Sequence, residues 1–92
     1  MALEVGAQIP IPCEIAEGAF PGERLVTIET KIGPISGFVR GNDLQFTEGG
    51  APYLLGIIEG FEEDTIVVRL KGSFFRTTGI TYFRKDMLQA CA

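Results

Sequence analysis

Short runs of β-branched and aromatic residues, each broken after a few positions by glycine or proline, dominate this sequence. Twelve glycines and five prolines are spread over 92 residues, a punctuation typical of strands joined by tight turns. No window keeps a helical apolar period over three turns, so the pattern predicts an all-β chain. The predicted strands are 13–17, 24–31, 35–40, 44–47, 53–60, 65–71, 74–83 with a break near Thr78, and 87–90.

The alternation of apolar and polar residues assigns the faces of two of these strands. In 24–31, Val26 and Ile28 alternate with polar neighbours and are predicted to be core residues. In 65–71, apolar residues occupy every second position, so Arg69 and Lys71 are predicted to share the outer face.

The length of 92 residues is enough for one domain and too short for two. We expect a small, strongly bent barrel of five to six strands over 23–90, preceded by an N-terminal extension, 1–22, with room for one strand. Glycines inside three predicted strands leave no side chain where a strand must bend, at Gly37, Gly56 and Gly79.

The residue types exclude several classes of catalytic and metal site. The chain has no histidine, and its two cysteines, Cys13 and Cys91, lie near opposite ends. Nucleophile systems that need histidine, HExxH zinc sites and CxxC motifs are therefore absent from the sequence. We expect no enzymatic activity, no metal and no cofactor.

The sequence also has no segment that resembles a membrane span or a signal peptide. No apolar run reaches about 18 residues, and the first twelve residues lack a basic start followed by an apolar core. The expectation is a cytoplasmic protein without a membrane partner.

Charge is distributed unevenly along the chain. Residues 1–64 carry eleven acids and three bases, a net charge of −8, whereas residues 65–92 carry five bases and one acid, a net charge of +4. The total of −4 argues against a polyanion partner, but charges separated along the chain can also be separated in space.

A weak internal repeat connects the two halves. IAEG at 15–18 recurs as IIEG at 57–60, and R-x-x-x-L-Q at 40–45 recurs at 84–89. Either an internal duplication or the shared turn chemistry of β-meanders accounts for it.

Residues 54–72, LLGIIEGFEEDTIVVRLKG, and 78–89, TGITYFRKDMLQ, resemble the two motifs of the Sm-like family, which includes bacterial Sm-like RNA chaperones. The first motif of that family has a bent strand with an apolar-x-Gly-x-apolar core, a Phe-acid pair that opens a loop, and an apolar third strand. The second motif is a strand that ends in an aromatic or aliphatic residue followed by a base. The matching positions are Leu54, Gly56, Ile58, Phe61, Glu62, Ile66 and Val68 for the first motif, and Tyr82, Phe83, Arg84, Lys85 and Met87 for the second.

This resemblance implies a cyclic homo-oligomer of about five to seven subunits, in which the fourth strand of one subunit pairs with the fifth strand of the next. The segment 74–83 is long, aromatic and β-prone, and an interface would remove the aggregation hazard of such an edge. The residues assigned to this interface are Phe74, Phe75, Thr77, Ile80 and Tyr82.

The resemblance also implies a binding site for single-stranded nucleic acid, with RNA as the expected polymer. On this interpretation, Phe61 or Thr65 contacts a nucleobase, and Arg84 and Lys85 contact phosphate. Base stacking tolerates any sequence, and contacts between cations and phosphate release counterions. The three acids 62–64 lie beside the proposed pocket and would repel phosphate if they pointed into it.

Two alternatives stay open at the level of sequence. A second register places the first motif at 26–43, through Lys31, Gly33, Gly37 and Asp43. The same strands also fit the last three strands of an SH3-like barrel, which would be a protein-interaction or structural module that does not bind nucleic acid.

Overall fold

The computed structural model describes residues 4–17, 21–74 and 79–89, with the side chains of Glu17 and Gln89 excepted. The described residues form nine strands, one 3-10 turn and one short helix. The strands are β1 (Gln8–Pro12), β2 (Glu14–Glu17), β3 (Glu23–Thr30), β4 (Gly33–Arg40), β5 (Leu44–Phe46), β6 (Pro52–Glu62), β7 (Thr65–Arg69), β8 (Ser73–Phe74) and β9 (Ile80–Arg84); the 3-10 turn is Gly41–Asp43 and the helix is α1 (Lys85–Gln89).

The longer sheet is built around β6, which has eleven residues. β1 pairs with one edge of β6, while β5 and β7 share the other edge, and β9 pairs with the far side of β7. All of these pairings are antiparallel. β6 has a bulge at Glu59 where it pairs with β7. Ile58 lies opposite Val68 and Gly60 lies opposite Val67, so Glu59 is the extra residue.

The second sheet has the order β2-β3-β4-β8 and is also antiparallel. Only Cys13 separates β1 in the first sheet from β2 in the second, so the chain turns from one sheet into the other at this residue. The two sheets also meet where the Lys31 N–H donates to the Tyr82 carbonyl oxygen at 2.8 Å. This bond joins the end of β3 to the outer edge of β9.

The core lies between the two sheets and contains one alternating set of side chains from each long strand. Val26 and Ile28 are fully buried, as predicted, and Arg69 is exposed on the outer face. The buried apolar residues are Ile9, Ile11, Val26, Ile28, Ile35, Val39, Leu44, Leu54, Ile58, Ile66, Val68, Leu70, Phe74, Phe83 and Leu88.

The predicted all-β class is confirmed, but a closed barrel of five to six strands is not found among the described residues. Nine shorter strands form two sheets instead, because the chain changes sheet four times: at Cys13, between β4 and β5, between β7 and β8, and between β8 and β9. The N-terminal extension, predicted to have room for one strand, contains both β1 and β2. Ile9 and Ile11 place β1 in the core.

The predicted strand at 87–90 is wrong, because Lys85–Gln89 is helical. Lys, Met, Leu and Gln are all good helix formers, and Asp86 lies in the first turn, where a negative charge is favourable. Leu88 is buried and anchors this short helix to the core. Among the described residues, no helix is long and apolar enough to cross a membrane.

The internal repeat has a counterpart in the topology. The strands β2-β3-β4 form an antiparallel meander, and β6-β7-β9 form a similar one that is interrupted by β8, which lies in the other sheet. Arg40 ends the first meander and Arg84 ends the second, and a short helical turn follows each arginine. The two R-x-x-x-L-Q segments therefore occupy equivalent places at the ends of the two meanders.

Gly37 allows β8 to approach β4 more closely than any side chain would permit. A Cβ atom at this position would lie 2.5 Å from the Ser73 carbonyl oxygen and 2.6 Å from the Phe74 Cα atom. Because both atoms belong to the backbone, they can make room only if β8 moves. We expect Gly37→Ala to lower the free energy of unfolding by about 1–3 kcal/mol, measured by urea denaturation.

Gly60→Ala is the matched control, since Gly60 is also a strand glycine but has nothing within 4 Å of its added Cβ. We expect this control to change stability by less than about 0.5 kcal/mol. Equal effects of the two substitutions would contradict the close packing of β8 on β4.

Candidate nucleic-acid interface

The four residues predicted to bind nucleic acid lie together at one end of the longer sheet. Phe61 is near the end of β6, Thr65 begins β7, Arg84 ends β9 and Lys85 begins α1. Thr65 pairs directly with Arg84 across the β7–β9 ladder. The Lys85 N–H donates to the carbonyl oxygen of Asp64 at 2.8 Å, which fixes the start of α1 against the β6–β7 turn.

Phe61 and Lys85 form a cation–π pair at this end of the sheet. The Lys85 ammonium nitrogen lies 5.7 Å from the centroid of the Phe61 ring. Phe61 is 38% exposed, so solvent reaches part of its surface beside the Lys85 ammonium group. Such a pair at an exposed site is worth about 0.5–1 kcal/mol and leaves an aromatic surface next to a positive charge.

Thr65 has a different place from the one predicted. Its side chain is buried, with only 4% of its surface exposed, and its Oγ1 accepts a hydrogen bond from Lys31 Nζ at 2.6 Å. The hydroxyl therefore positions a cation and does not itself face a ligand. Lys31 also donates its backbone N–H to Tyr82, so one residue connects the end of β3 to both β7 and β9.

Lys31 is the functional candidate that the preferred register does not include. It is 34 positions away from Thr65 in the sequence, and it joins the site only through the meeting of the two sheets. The one sequence signal that includes Lys31 is the second register of the Sm-like motif, at 26–43. We call the set Lys31, Phe61, Thr65, Arg84 and Lys85 the rim.

The charges of the rim are partly balanced by neighbouring acids. Arg84 Nε lies 3.3 Å from the Asp86 carboxylate, in an ion pair whose two side chains are more than half exposed. An exposed pair of this kind is worth about 0–1 kcal/mol and opens at little cost when a stronger anion is present. Three further acids, Glu62, Glu63 and Asp64, are exposed at the β6–β7 turn. The rim is therefore a mixed surface of three cations with four acids around it.

The residues predicted to form a subunit interface have different environments. Phe74 is 8% exposed and belongs to the core, so its side chain stabilises the subunit itself. Ile80 is half-buried, and Tyr82 is 43% exposed on the outer face opposite Val67. Phe75 and Thr77 lie outside the described residues.

The free edge of β1 is unsuited to pairing with another strand. Cys13 N–H donates to the Pro52 carbonyl oxygen and Ile58 N–H donates to the Ala7 carbonyl oxygen. The backbone N–H and C=O groups of odd-numbered residues in β1 therefore point towards β6. Pro10 and Pro12 therefore occupy positions whose N–H groups would point outward, and proline has no N–H. Any pairing between subunits would use a different edge.

A cavity of about 220 Å³ lies between β3 and α1, where Cys13 and Met87 are among the lining residues. Burial raises the pKa of the Cys13 thiol to about 11. A thiol that keeps its proton is a poor nucleophile and a poor metal ligand. Among the described residues, no group of three or more Cys, Asp or Glu side chains is arranged to hold a metal ion.

Comparison with known proteins gives no significant match to a protein-family model, to a curated protein or to a solved structure. Any function proposed for this chain therefore depends on its own residues.

The raised pKa of Cys13 predicts how its reactivity and its effect on stability depend on pH. The folded state keeps the thiol proton up to about pH 11, whereas the unfolded thiol loses it near 9.0, so this stabilisation is complete below pH 9 and is lost as the pH rises towards 11. In a Cys91→Ser variant, we expect the rate of iodoacetamide labelling to rise about tenfold per pH unit from pH 8 to pH 10. A rate that levels off at pH 9 would show an unshifted thiol.

Proposed function

We propose that this protein binds single-stranded nucleic acid, with RNA as the expected polymer, through the rim. The observation that carries the proposal is the part-exposed Phe61 ring beside the Lys85 ammonium group. Arg84 and Lys31 lie at the same end of the sheet, around Thr65 on its other face. An aromatic surface next to several cations is the combination that binds single strands without regard to sequence.

The binding mode follows from the chemistry of these side chains. A nucleobase stacks on the exposed part of the Phe61 ring, a contact worth about 1–3 kcal/mol. The phosphates on either side of that base interact with the side chains of Lys85, Arg84 and Lys31. Arg84 exchanges Asp86 for a phosphate, and the acids of the β6–β7 turn limit the site to a short stretch of strand.

The assembly that the Sm-like resemblance suggests is a ring of about five to seven copies. A ring would place several rims close together, and several weak contacts to one strand raise the overall affinity well above that of a single contact. Tyr82, exposed on β9 at the edge of the longer sheet, is the described interface residue best placed to contact a neighbouring subunit.

A second candidate function is that of an SH3-like protein-interaction module. It is favoured by an apolar groove of about 400 Å³ on the outer face of β1 and β6, lined in part by Pro10, Pro12, Tyr53 and Leu55. The Tyr53 hydroxyl donates to Gln45 Oε1 at 3.0 Å, a bond that fixes the position of this aromatic lining residue. Grooves with aromatic walls take extended, proline-rich peptides. Such binding would depend little on salt, because apolar burial is weakly screened.

The first test of the rim is a double charge reversal, Arg84→Glu with Lys85→Glu. We expect the affinity for a fluorescent single-stranded oligonucleotide to fall about a hundredfold or more, because two attractions to phosphate become repulsions. The slope of log K against log salt should also become shallower, by about 0.7 for each phosphate that the variant no longer neutralises. Fluorescence anisotropy at several salt concentrations measures both.

Arg24→Glu with Arg40→Glu is the matched control. It makes the same change in net charge at two exposed arginines on neighbouring strands of the other sheet. We expect this control to reduce the affinity by less than about threefold, through the long-range field alone. If the two double variants bind equally well, the rim is not the binding site.

The assembly is tested by the absolute mass in solution, from light scattering on a sizing column at two protein and two salt concentrations. A subunit of 10.0 kDa predicts a stable species of about 50–70 kDa for the ring. A monomer of about 10 kDa under all conditions would contradict the ring and favour the protein-interaction module.

A further inference from the structure

The edge of β6 that β5 and β7 share is left open between them. Leu54 pairs with β5 and Ile57 pairs with β7, whereas Leu55 and Gly56 pair only with β1 among the described residues. The β1–β6 ladder uses the backbone groups of even-numbered β6 residues, since Cys13 N–H donates to Pro52 and Ile58 N–H donates to Ala7. The N–H and carbonyl of Leu55 therefore point into this gap, which we call the notch.

The notch is a groove of about 320 Å³ with an apolar floor. Leu55 and Ile57 lie on the outer face of β6, half-buried, and form part of its lining. The 3-10 turn before β5 lines one side and the residues at the end of β7 line the other. The volume is at the small end of the range for ligand pockets, enough for one small molecule.

Carboxamide side chains are concentrated in this groove. The whole chain has one asparagine and three glutamines, and three of these four side chains line the notch: Gln8, Asn42 and Gln45. A carboxamide presents a donor and an acceptor side by side, which is the pattern that matches the hydrogen-bonding edge of a nucleobase. Gln45 Oε1 accepts a hydrogen bond from the Tyr53 hydroxyl, so the Gln45 NH₂ group points away from Tyr53 and is the part of this carboxamide left to bind a ligand.

Two cations stand at the opposite side of the same groove. Arg69 and Lys71 both line the notch and both are exposed. Arg69 Nε is held by Glu59 at 2.5 Å, which fixes the guanidinium and leaves its two terminal nitrogens able to donate. Asp43 is the one acid among the described residues that line the groove, and Glu59 pairs with Arg69 beside it, so the charges at the notch balance in a chain of net charge −4.

We infer that the notch binds one nucleotide unit, a nucleobase with its ribose and 5′-phosphate. The base lies on Leu55 and Ile57, and its edge bonds to the Asn42 and Gln8 carboxamides. The phosphate lies between Lys71 and Arg69, while the Asp43 carboxylate accepts from ribose hydroxyls. This site shares no residue with the rim, and its existence does not depend on the function proposed for the rim.

The same chemistry can come from a free mononucleotide or from one nucleotide of a single strand. If a strand is the source, a chain held at the rim would have to cross the outer face of β7, from Thr65 at one end to Arg69 at the other. That distance is about 13 Å, at 3.2–3.4 Å for each of four residues. A strand bound at both places therefore needs at least a few nucleotides, whereas a mononucleotide needs only the notch.

The test is a titration of ¹⁵N-labelled protein with AMP, GMP, CMP and UMP, followed by NMR. The side-chain NH₂ signals of Gln8, Asn42 and Gln45 report on the notch directly, because the chain has only one other carboxamide. We expect saturable shifts of these signals with at least one nucleotide, and weaker binding of the matching nucleoside, which lacks the phosphate. Lys71→Ala should weaken the binding about tenfold or more, as expected for the loss of a hydrogen bond to a charged group. Asn42→Ala should weaken it about two- to tenfold, because Asn42 is exposed and its bond to the base is neutral.

Lys31→Ala and Lys85→Ala are the matched controls, since they remove cations of the rim and leave the notch intact. They should leave mononucleotide binding at the notch, followed by the three carboxamide signals, unchanged within about twofold, whatever they do to binding at the rim. A (U)₂ and a (U)₆ oligonucleotide distinguish the sources: a strand that spans both sites makes the longer one bind more tightly and makes its binding sensitive to both sets of variants.

Failure of the notch and failure of the rim give different results. If no mononucleotide shifts the three carboxamide signals, or if the shifts appear only around Phe61 and Lys85, the notch is not a nucleotide site. Oligonucleotide binding that is lost with Arg84→Glu and Lys85→Glu and unaffected by Lys71→Ala would support the rim and exclude a strand as the source of the nucleotide at the notch. If mononucleotide binding is also unaffected by Lys71→Ala, the notch is overturned.

Discussion

Antiparallel pairing on both edges of β6 is the interaction on which the rest of the structure depends. One eleven-residue strand receives β1 on one side and β5 with β7 on the other. At Gly56 these neighbours come so close that a Cβ atom would collide with the Val68 side chain and lie 3.3 Å from Ile11 Cγ1. Because Gly56 has no side chain, Ile11 of β1 and Val68 of β7 can both pack directly against β6, and the small core forms around this point.

Both candidate sites follow from the way the edges of β6 and β7 are occupied. The rim forms where β6, β7 and β9 end together and the start of α1 packs on the β6–β7 turn. The notch forms where β5 and β7 fail to meet on the same edge of β6. The described bases of the segment 65–92 are therefore divided between two places: Arg84 and Lys85 lie at one end of the sheet, and Arg69 and Lys71 lie near the other.

Alternation along single strands was sufficient to predict the class and the faces. Val26 and Ile28 are in the core and Arg69 is outside because the side chains of a strand must point to opposite faces. β1 was not predicted because proline within a run argues against a strand, and this run contains Pro10 and Pro12. Only the pairing with β6 shows that both prolines occupy outward positions of an edge strand. The final helix was missed because five residues are too few to display a helical period.

Contacts between distant parts of the chain could not be predicted in the same way. Phe61, Arg84 and Lys85 were assigned to one site through a family resemblance. The structure places Lys85 over the Phe61 ring, whereas Arg84 pairs with Thr65 on the other face of the sheet. The involvement of Lys31 depends on how the two sheets meet, and the notch depends on which edge of β6 pairs with each neighbouring strand. Neither arrangement produces a local pattern in the sequence.

The most direct test of the rim is photo-crosslinking of the protein to a single-stranded RNA that contains 4-thiouridine, with the attachment sites mapped by mass spectrometry. We expect crosslinks at Phe61 and few at Tyr82, whose side chain lies on the opposite face of the sheet and is proposed to contact a neighbouring subunit. Phe46 is the internal reference, because it is more exposed than either ring and is not part of the rim. Crosslinks confined to Phe46, or spread evenly over all three rings, would contradict the assignment of the rim as a nucleic-acid site.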